Sequence, residues 1–361
     1  MGSVKETKIL QPAYENQRGI GEFEFSNDYS IFDWGKMPNR IRNKGKALAT
    51  MSAFNFEQLE DRGIDTHYHG LVKNDELFRT NDFGLGSQGS SCMQFSLAVR
   101  YDPVARRFMG DDKIPRVEYD YSFFENNRGK LNRYLVPLEI IFRNGLPKGS
   151  SIFKKLKEAE GDGAKTKKLL DKLGLKESPK EGDMLPKPIM TYTTKLEEGD
   201  RSLSEDEAYQ ISGLTEKQFL RVAPLALRIN DYITERCEQT GLAPHWDGKV
   251  EMAYFNGSLI LVDAVGTLDE DRMGDRISKE FLRQWYKENQ PGFAEACDEY
   301  KQTGPGWQER CPVKPISLPE ELSTLVSQMY MAACNQYIGK NIFSNVPELG
   351  KVMERLKPYR D

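Results

Sequence analysis

The chain contains 361 residues, with 51 lysine and arginine residues against 55 aspartate and glutamate residues, so its formal net charge is −4. This slightly acidic balance argues against a general nucleic-acid-binding protein, which normally carries a basic excess. A hydrophobic fraction of 38% and five scattered cysteines without a C-x-x-C pair exclude disordered, collagen-like and disulfide-dense chains, and they provide no zinc-site signature.

Length predicts two domains, on a prior of about 150 residues each. The most apolar stretch, residues 259–265, is the length of a strand and too short to span a bilayer. The first 30 residues contain no apolar run long enough for the core of a signal peptide. We therefore expect a cytoplasmic protein without a membrane partner.

The first 145 residues mix aromatic-rich, strand-like runs with turn residues and one helix. The helix is predicted over residues 46–62, with apolar residues at helical spacing and Gly63 at its end. Before it, polar residues alternate with aromatic ones over residues 26–34, and a Lys44-Gly45-Lys46 turn opens the helix. Such a turn can bind an anion at the helix N-terminus, although a purely structural turn explains the same residues.

For two short motifs in this region, we favour a structural role over a binding site. Residues 84–89 match G-x-G-x-x-G, but no strand leads in and no helix follows, so a loop is predicted. His67 and His69 are two residues apart, which places both on one face of a strand, where they could bind a metal. Because no third ligand is evident, we favour a surface strand.

A strand is predicted from residue 137 to residue 144, with Glu139 and Arg143 on one face. A glycine-bearing loop with Ser150 follows. An arginine, backbone N–H groups and a hydroxyl together suit a phosphate. Charge on an edge strand explains the segment equally well.

The next segments are predicted to be largely helical. Residues 154–187 interleave lysine with glutamate and aspartate, which indicates an exposed helix and linker with a solvated face rather than a phosphate site. A long helix follows, with a capping box at residues 215–218 and Gly241 at its end. Pro224 predicts either a kink or a later true start. The last hundred residues are mostly helical, including residues 318–337.

The clearest hairpin signal is Asn256-Gly257 between two β-rich runs. Lys249 and Glu251 share a face of the first strand, and Asp263 ends the second. A two-residue loop places Glu251 and Asp263 on opposite faces, whereas a three-residue loop gathers them with Lys249. Two such carboxylates suit Mg²⁺ held with nucleotide phosphates. On spacing alone, an amphipathic surface hairpin with a cross-strand ion pair is favoured.

In this order, the segments resemble the SAICAR synthetases (phosphoribosylaminoimidazole-succinocarboxamide synthases) of purine biosynthesis. Residues 137–150 are close to the family pattern P-x-E-x-x-x-R-N-x-A-x-G-S, and residues 247–251 resemble D-F-K-x-E. The other matching segments are residues 2–6, 26–33, 44–46, 261–272, 275–285 and 318–330. The chain departs from the family pattern at Ala264, where an acidic residue is expected, and in residues 194–200, where the loop histidine is missing.

The resemblance implies an α+β fold of two ATP-grasp-like lobes with closing C-terminal helices. The antiparallel N-terminal lobe is expected over residues 1–135 and the larger α+β C-terminal lobe over residues 136–361. About 40 extra residues around 75–125 and an insert around 290–315 have no counterpart in the family pattern. The implied reaction converts ATP, CAIR and L-aspartate into SAICAR, ADP and phosphate through an acyl phosphate, with ATP and Mg²⁺ as cofactors. Whether the protein is a monomer or a homo-oligomer stays open.

The resemblance also implies the roles of residues at matching positions. The expected catalytic residues are Lys249, Glu251 and Asp263, of which the two carboxylates hold Mg²⁺. The expected ATP-binding residues are Lys5, Arg133, Leu135, Glu139 and Lys249, with an adenine hinge formed by the backbone of residues 133–135. The expected ligands of the CAIR 5′-phosphate are Arg143, Ser150 and Arg272. The residues expected at the imidazole-carboxylate and aspartate end are Ser30, Asp33, Lys44, Lys195 and Asp200.

Two other functions stay open on the sequence. One is an ATP-dependent ligase that joins a different carboxylate and amine by the same mechanism. The other is a non-catalytic nucleotide-binding protein of the same fold, which Ala264 and the missing loop histidine favour.

Overall fold

The computed structural model of the protein describes residues 5–111, 115–275, 277, 279–304 and 306–359. Residues 2–4, which belong to the predicted glycine–lysine start, lie outside the described residues, as do Arg276 and Ser278 of the closing-helix motif. One apolar core runs through both halves of the described chain. No helix in these ranges is both long enough and apolar enough to span a bilayer.

The N-terminal half contains a five-stranded antiparallel sheet with one long helix against it. The strands are β1 (Lys5–Gln11), β2 (Gly19–Phe25), β3 (Tyr68–Lys73), β4 (Glu76–Phe78) and β5 (Cys92–Leu97), in the spatial order β1-β2-β5-β3-β4. The helix, α1 (Lys44–Asp61), confirms the predicted helix to within two residues. It packs closely on the sheet because Gly45 lies against the Phe25 carbonyl, where a Cβ atom would collide.

The segment from residue 75 to residue 125 is only partly outside this sheet. Strands β4 and β5 belong to the sheet, whereas β6 (Val104–Met109) and β7 (Pro115–Asp120) form a separate two-stranded antiparallel ribbon. A short helix, α2 (Ser122–Asn126), leads back to the body of the protein.

A second antiparallel sheet forms the centre of the C-terminal half. Its strands are β8 (Tyr134–Leu146), β9 (Asp183–Thr194), β10 (Ser202–Leu203), β11 (His245–Phe255), β12 (Ser258–Val262) and β13 (Arg272–Met273). The order is β10-β9-β8-β11-β12, with β13 also paired to β11. Because β8 is an internal strand, the edge-strand explanation of its charged residues is wrong. Glu139 lies opposite Glu251 and Arg143 lies opposite Asp247 in the β8–β11 register.

The remaining α-helices of the described chain follow β8; some of them pack against this sheet, and others pack against one another or against α1. They are α3 (Ser151–Glu158), α4 (Gly163–Leu173), α5 (Glu205–Ile211), α6 (Glu216–Phe219), α7 (Val222–Thr240), α8 (Lys279–Asn289), α9 (Phe293–Lys301), α10 (Trp307–Arg310), α11 (Glu320–Ile338) and α12 (Leu349–Leu356). Residues 154–187 thus hold two exposed helices rather than one. The capping box at Thr215 opens the short α6, and Pro224 lies in the first turn of α7, which confirms the later start.

Candidate active site

The hairpin β11–β12 has a two-residue loop, so the three-residue register is wrong. Phe255 pairs with Ser258, and both Asn256 (φ 47°) and Gly257 (φ 94°) have left-handed backbone conformations. Two such residues form a type I′ turn, whose twist matches the right-handed twist of the flanking strands. The turn geometry therefore decides the register without reference to the acidic side chains.

Asp263 nevertheless meets Glu251, because the chain turns sharply after β12. Asp263 has φ 70°, an uncommon conformation for a residue other than glycine. The turned backbone brings the two side chains into hydrogen-bond contact. The Nε2 atom of His67 lies 3.1 Å from the Asp263 carbonyl oxygen and supports this turn. We call Glu251 and Asp263 the carboxylate pair. Strand periodicity does not predict their contact, which depends on the turn at Asp263.

Glu251 is buried and Asp263 half-buried, and the pair shares a proton. Burial and the nearby Asp263 charge raise the pKa of Glu251 to about 8. Burial also acts to raise the pKa of Asp263, but the ammonium groups of Lys5 and Lys195 outweigh it and hold this pKa well below its usual range. Lys5 forms a direct ion pair with Asp263. Protonated Glu251 therefore donates to ionised Asp263.

Alternating charges continue from the carboxylate pair along the sheet. The Lys195 ammonium lies 2.5 Å from a Glu251 oxygen and 3.3 Å from a Glu139 oxygen. The Lys249 ammonium lies 3.0 Å from the same Glu139 oxygen and 3.3 Å from Glu270. Glu139 and Glu251 are directly opposite on neighbouring strands, where like charges repel unless cations lie between them. The two lysines supply that compensation.

A divalent cation fits the carboxylate pair. The two adjacent carboxylates offer the oxygen ligands that such a cation prefers, and a bound cation would displace the proton on Glu251. No cluster of three or more His, Cys, Asp or Glu side chains that could hold a metal occurs in the described ranges. A metal here would therefore depend on ligands from outside the protein, as Mg²⁺ does when it binds nucleotide phosphates.

Arg143, Ser150 and Arg272 lie together, and we call them the phosphate site after their expected role, which stays a prediction. The Arg143 guanidinium donates to the Ser150 hydroxyl at 3.0 Å and lies 3.3 Å from the Asp247 carboxylate. Arg272 binds the same carboxylate through two N–H groups. Ser150 is also the N-cap of α3, so backbone N–H groups of that helix face the same region.

Comparison with known proteins identifies the family. The family model for SAICAR synthetase matches residues 11–300. The chain belongs to the SAICAR synthetase family. A putative phosphoribosylaminoimidazole-succinocarboxamide synthase from Archaeoglobus fulgidus is 37% identical over 99% of each chain. The Thermoplasma acidophilum synthase is 29% identical over 88% of this chain and 92% of its own. The predicted recognition and the assignment as an enzyme of this family are confirmed.

Solved structures support the fold of this SAICAR synthetase family member. The Saccharomyces cerevisiae SAICAR synthase, solved with SAICAR, has a TM-score of 0.59 at 20% identity and covers 94% of both chains. A SAICAR synthetase solved with ADP has a TM-score of 0.51 at 20% identity and covers 88% of this chain and 99% of its own. The predicted α+β class, with antiparallel sheets and C-terminal helices, is confirmed. The division at residue 135 stays a prediction.

Lys44 is buried in the interior of the protein, and its predicted substrate role needs correction. Its side chain is 0% exposed, and its ammonium lies 2.6 Å from the Asp269 carboxylate. It also lies over the ring of Tyr330, whose hydroxyl donates to Asp269 at 2.8 Å. The helix-opening turn buries this lysine as an internal partner of Asp269, which accounts for the Lys44-Gly45-Lys46 turn without an external anion.

The other residues predicted at this end lie in two facing loops. The Ser30 hydroxyl accepts a hydrogen bond from Gly35 N–H at 3.2 Å, so it stabilises its own turn. Asp33 has φ 57°, and its carboxylate is 83% exposed. Burial raises the pKa of Asp200, and the charges of Glu139 and Asp33 act in the same direction. The charge of Asp33 therefore contributes to the electrostatic environment of Asp200.

The predicted adenine hinge pairs with a neighbouring segment. The Arg133 carbonyl accepts from the N–H of Val99 at 2.7 Å, and the Leu135 N–H donates to the Val99 carbonyl at 2.9 Å. The hinge assignment stays a prediction. It is restricted to backbone N–H and carbonyl groups of residues 133–135 that do not bond to Val99.

The two motifs set aside as structural are resolved differently. Residues 84–89 form a loop, as predicted, whose Gly86 N–H donates to the Asn341 carbonyl at 2.9 Å. The surface-strand prediction is wrong for His67, which is 2% exposed and packs against the rings of Phe23, Phe56 and Phe95. Burial lowers the pKa of His67 to about 3, so its ring is neutral near neutral pH.

Lys279, the first residue of α8, lies near the charges of Asp269 and Lys249, and the sequence did not single it out. Burial lowers its pKa, and the nearby charges of Arg283 and Lys249 act in the same direction against the attraction of Asp269 and Glu270. No carboxylate oxygen in the described ranges lies within 4.0 Å of its ammonium. In contrast, each of the following lysines has such a carboxylate: Lys5, Lys44, Lys195 and Lys249. Its position in the closing-helix motif was the only signal that could have identified it.

Proposed function

We propose that the protein joins CAIR and L-aspartate in an ATP-dependent reaction that yields SAICAR, ADP and phosphate. One observation carries the proposal: the same sheet connects the carboxylate pair to the phosphate site. Between these two sites, Lys195 and Lys249 bridge the acidic side chains of neighbouring strands. One end suits a nucleotide polyphosphate and the other a ribotide phosphate. The names of the relatives support the same reaction.

The chemistry requires an activated carboxylate, because an ionised carboxylate is a poor acyl electrophile. We propose that a carboxylate oxygen of CAIR attacks the γ-phosphorus of ATP, so that ADP leaves and an acyl phosphate forms. The neutral aspartate amine then attacks the acyl carbon; phosphate leaves, and the nitrogen loses one proton as the amide forms. Phosphoryl transfer depends mainly on alignment and on neutralisation of charge, which Lys5, Lys195 and Lys249 supply at fixed positions.

Mg²⁺ is proposed as the metal of the carboxylate pair. When bound there with the nucleotide, it would neutralise phosphate charge. The protein's own contribution is to hold Glu251 and Asp263 in contact, with Lys5 and Lys195 on either side. The cytoplasmic location and the lack of nucleic-acid and membrane partners stay predictions.

A coupled assay of ADP release tests the function. Release that requires both CAIR and L-aspartate, with SAICAR as product, supports the synthetase. Release with CAIR only when a different amine replaces L-aspartate supports a ligase with another acceptor. No release, despite binding of ATP, supports a non-catalytic nucleotide-binding protein and contradicts the proposal.

Lys279→Met is expected to raise the KM for CAIR by about 10- to 100-fold, the value of one charged hydrogen bond. The lysine is half-buried, and within the described ranges no carboxylate oxygen lies close to its ammonium, so its charge is available to an anionic ligand. For the same reason the free energy of unfolding should be unchanged or higher. Steady-state kinetics and thermal unfolding measure both. Lys287→Met, an exposed position on the same helix, is the control, and an unchanged KM for CAIR in Lys279→Met contradicts the assignment.

His67→Phe is expected to raise the half-saturating Mg²⁺ concentration by about tenfold, the equivalent of one lost hydrogen bond. The ring keeps its packing, but the contact with the Asp263 carbonyl is lost, so the left-handed turn at Asp263 is less well held. Mg²⁺ titration of the ADP-release rate measures the effect. His69→Phe is the control, because His69 contacts Ser96, at 2.8 Å, instead of the turn. Equal Mg²⁺ dependence in both variants would show that His67 acts only in packing.

A further inference from the structure

The ribbon β6–β7 lies outside both large sheets and needs an anchor. All six residues of β6 are exposed, and β7 is exposed or half-buried throughout. An isolated two-stranded ribbon is at best marginally stable in water. Tyr121, directly after β7, donates through its hydroxyl to the Glu197 carboxylate at 3.2 Å. The anchor is therefore the loop that follows β9.

The ribbon binds this loop at its centre. The Arg107 guanidinium forms an ion pair with the Glu198 carboxylate, and the Glu198 N–H donates to the Tyr119 hydroxyl at 2.9 Å. Glu198 lies between Lys195, which bridges the buried acids, and Asp200. The ribbon thus fixes the loop that carries two residues of the site.

The second insert, which contains α9 and α10, binds the loop that carries Asp33. The Lys301 ammonium lies 2.8 Å from the Asp33 carboxylate, and the Gln308 side-chain amide donates to the Asp33 carbonyl at 3.1 Å. The rings of Trp34 and Trp307 pack edge to face, with centroids 5.6 Å apart. Both the backbone and the side chain of Asp33 are therefore held by the insert.

The two inserts also touch each other. A Cβ atom at Gly304, which has φ 86°, would collide with the Pro115 carbonyl, so the close approach requires glycine. The inserts consequently enclose the loops of Asp33 and Asp200 from two sides. We call the ribbon β6–β7 and the segment α9–α10 together the insert pair.

We infer that the insert pair positions Asp33 and Asp200 around the ammonium group of an amino dicarboxylic acid, an inference that rests on the proposed function. Two carboxylates attract a cationic amine, but they also repel each other, and their loops separate unless both are held. Lys301 compensates the charge of Asp33, and Arg107 holds the opposite loop through Glu198. Lys301 and Arg107 are positioning residues, since each acts through another side chain.

A charge-reversal experiment tests the ribbon. Arg107→Glu is expected to raise the KM for L-aspartate by about fivefold, as a lost and reversed surface ion pair would. The KM values for ATP and CAIR should stay within about twofold of those of the unmodified protein. Arg107→Glu combined with Glu198→Arg should restore the aspartate KM. Arg106→Glu is the matched control: its side chain has the same 70% exposure, but it pairs with Asp120 inside the ribbon.

Lys301→Met tests the second insert, with an expected rise of about tenfold in the KM for L-aspartate alone. Amide hydrogen exchange over residues 195–201 provides a readout that does not need turnover, and it should become faster in Arg107→Glu. An unchanged aspartate KM, or equal rises for all three substrates, overturns the inference. If the unmodified protein releases no ADP with CAIR and aspartate, the proposed function fails instead. In that case amide exchange still tests the ribbon, because unchanged exchange over residues 195–201 in Arg107→Glu overturns its positioning role.

Discussion

Replacement of Glu251 by glutamine should lower turnover by at least about 100-fold, since a single charged group at the transferring phosphate contributes several kcal/mol. Glutamine removes the negative charge that a metal requires, and it cannot regain that charge by losing a proton. It also removes from Lys195 the acidic neighbour that lies nearest to its ammonium, while Glu139 and Asp263 remain. Charge compensation at the phosphoryl-transfer centre is therefore lost in two ways.

The fold should survive the Glu251→Gln change. Burial and the charge of Asp263 raise the pKa of Glu251 to about 8, so this carboxyl group holds a proton near neutral pH when no metal is bound. Glutamine has nearly the shape of that protonated acid, and its amide can donate to Asp263 as the carboxyl does. A destabilised variant would show that the glutamate is ionised in the folded protein.

Steady-state ADP release and thermal unfolding test the Glu251→Gln prediction together. Glu57→Gln is the matched control, since Glu57 is also a buried carboxyl whose pKa is raised by burial. Its carboxylate accepts hydrogen bonds from the Tyr68 hydroxyl and from Thr80, which form a group separate from the carboxylate pair. Near-normal turnover in Glu251→Gln, or an equal loss in Glu57→Gln, would contradict the assignment of Glu251 to the metal.

The hairpin shows what sequence periodicity can and cannot provide. Asn256-Gly257 locates the turn, and its intrinsic preference for positive φ gives the two-residue loop. Periodicity then places Glu251 and Asp263 on opposite faces, yet the two side chains touch. The contact depends on one left-handed residue after β12 and on His67, which is almost 200 positions away in sequence. Neither determinant has a local sequence signal.

Burial explains the remaining differences between sequence and structure. The helix α1 and the internal strand β8 follow from apolar spacing and turn residues, and Arg143 and Ser150 follow with them. Lys44 looks like an anion ligand in the sequence, because a lysine beside a helix start usually faces solvent. Its pairing with Asp269 is a tertiary event. Lys279 shows the converse case. Its neighbours in sequence do not indicate whether a carboxylate lies near its ammonium in the folded protein, so the sequence could not identify it.

Arg272→Ala is expected to raise the KM for CAIR by about 100-fold and the KM for ATP by less than about threefold, because two charged hydrogen bonds to one phosphate are lost. Arg272 is held in place by two N–H contacts to Asp247, a residue that Arg143 also approaches, so the guanidinium is oriented before any ligand arrives. The carboxylate pair that we assign to ATP is held by Lys5 and Lys195, neither of which touches Arg272. A selective effect on CAIR follows from this separation.

Steady-state kinetics with each substrate varied in turn measure the effect, and Arg272→Lys separates charge from geometry. Lysine keeps the positive charge but loses the planar fork, so its KM for CAIR should lie between those of the unmodified protein and Arg272→Ala. Arg62→Ala is the control for loss of an arginine ion pair, since Arg62 pairs with Glu235 at 2.8 Å on the surface. If Arg272→Ala raised both KM values equally, Arg272 would act by maintaining the sheet through Asp247, and the ribotide phosphate would have to bind elsewhere.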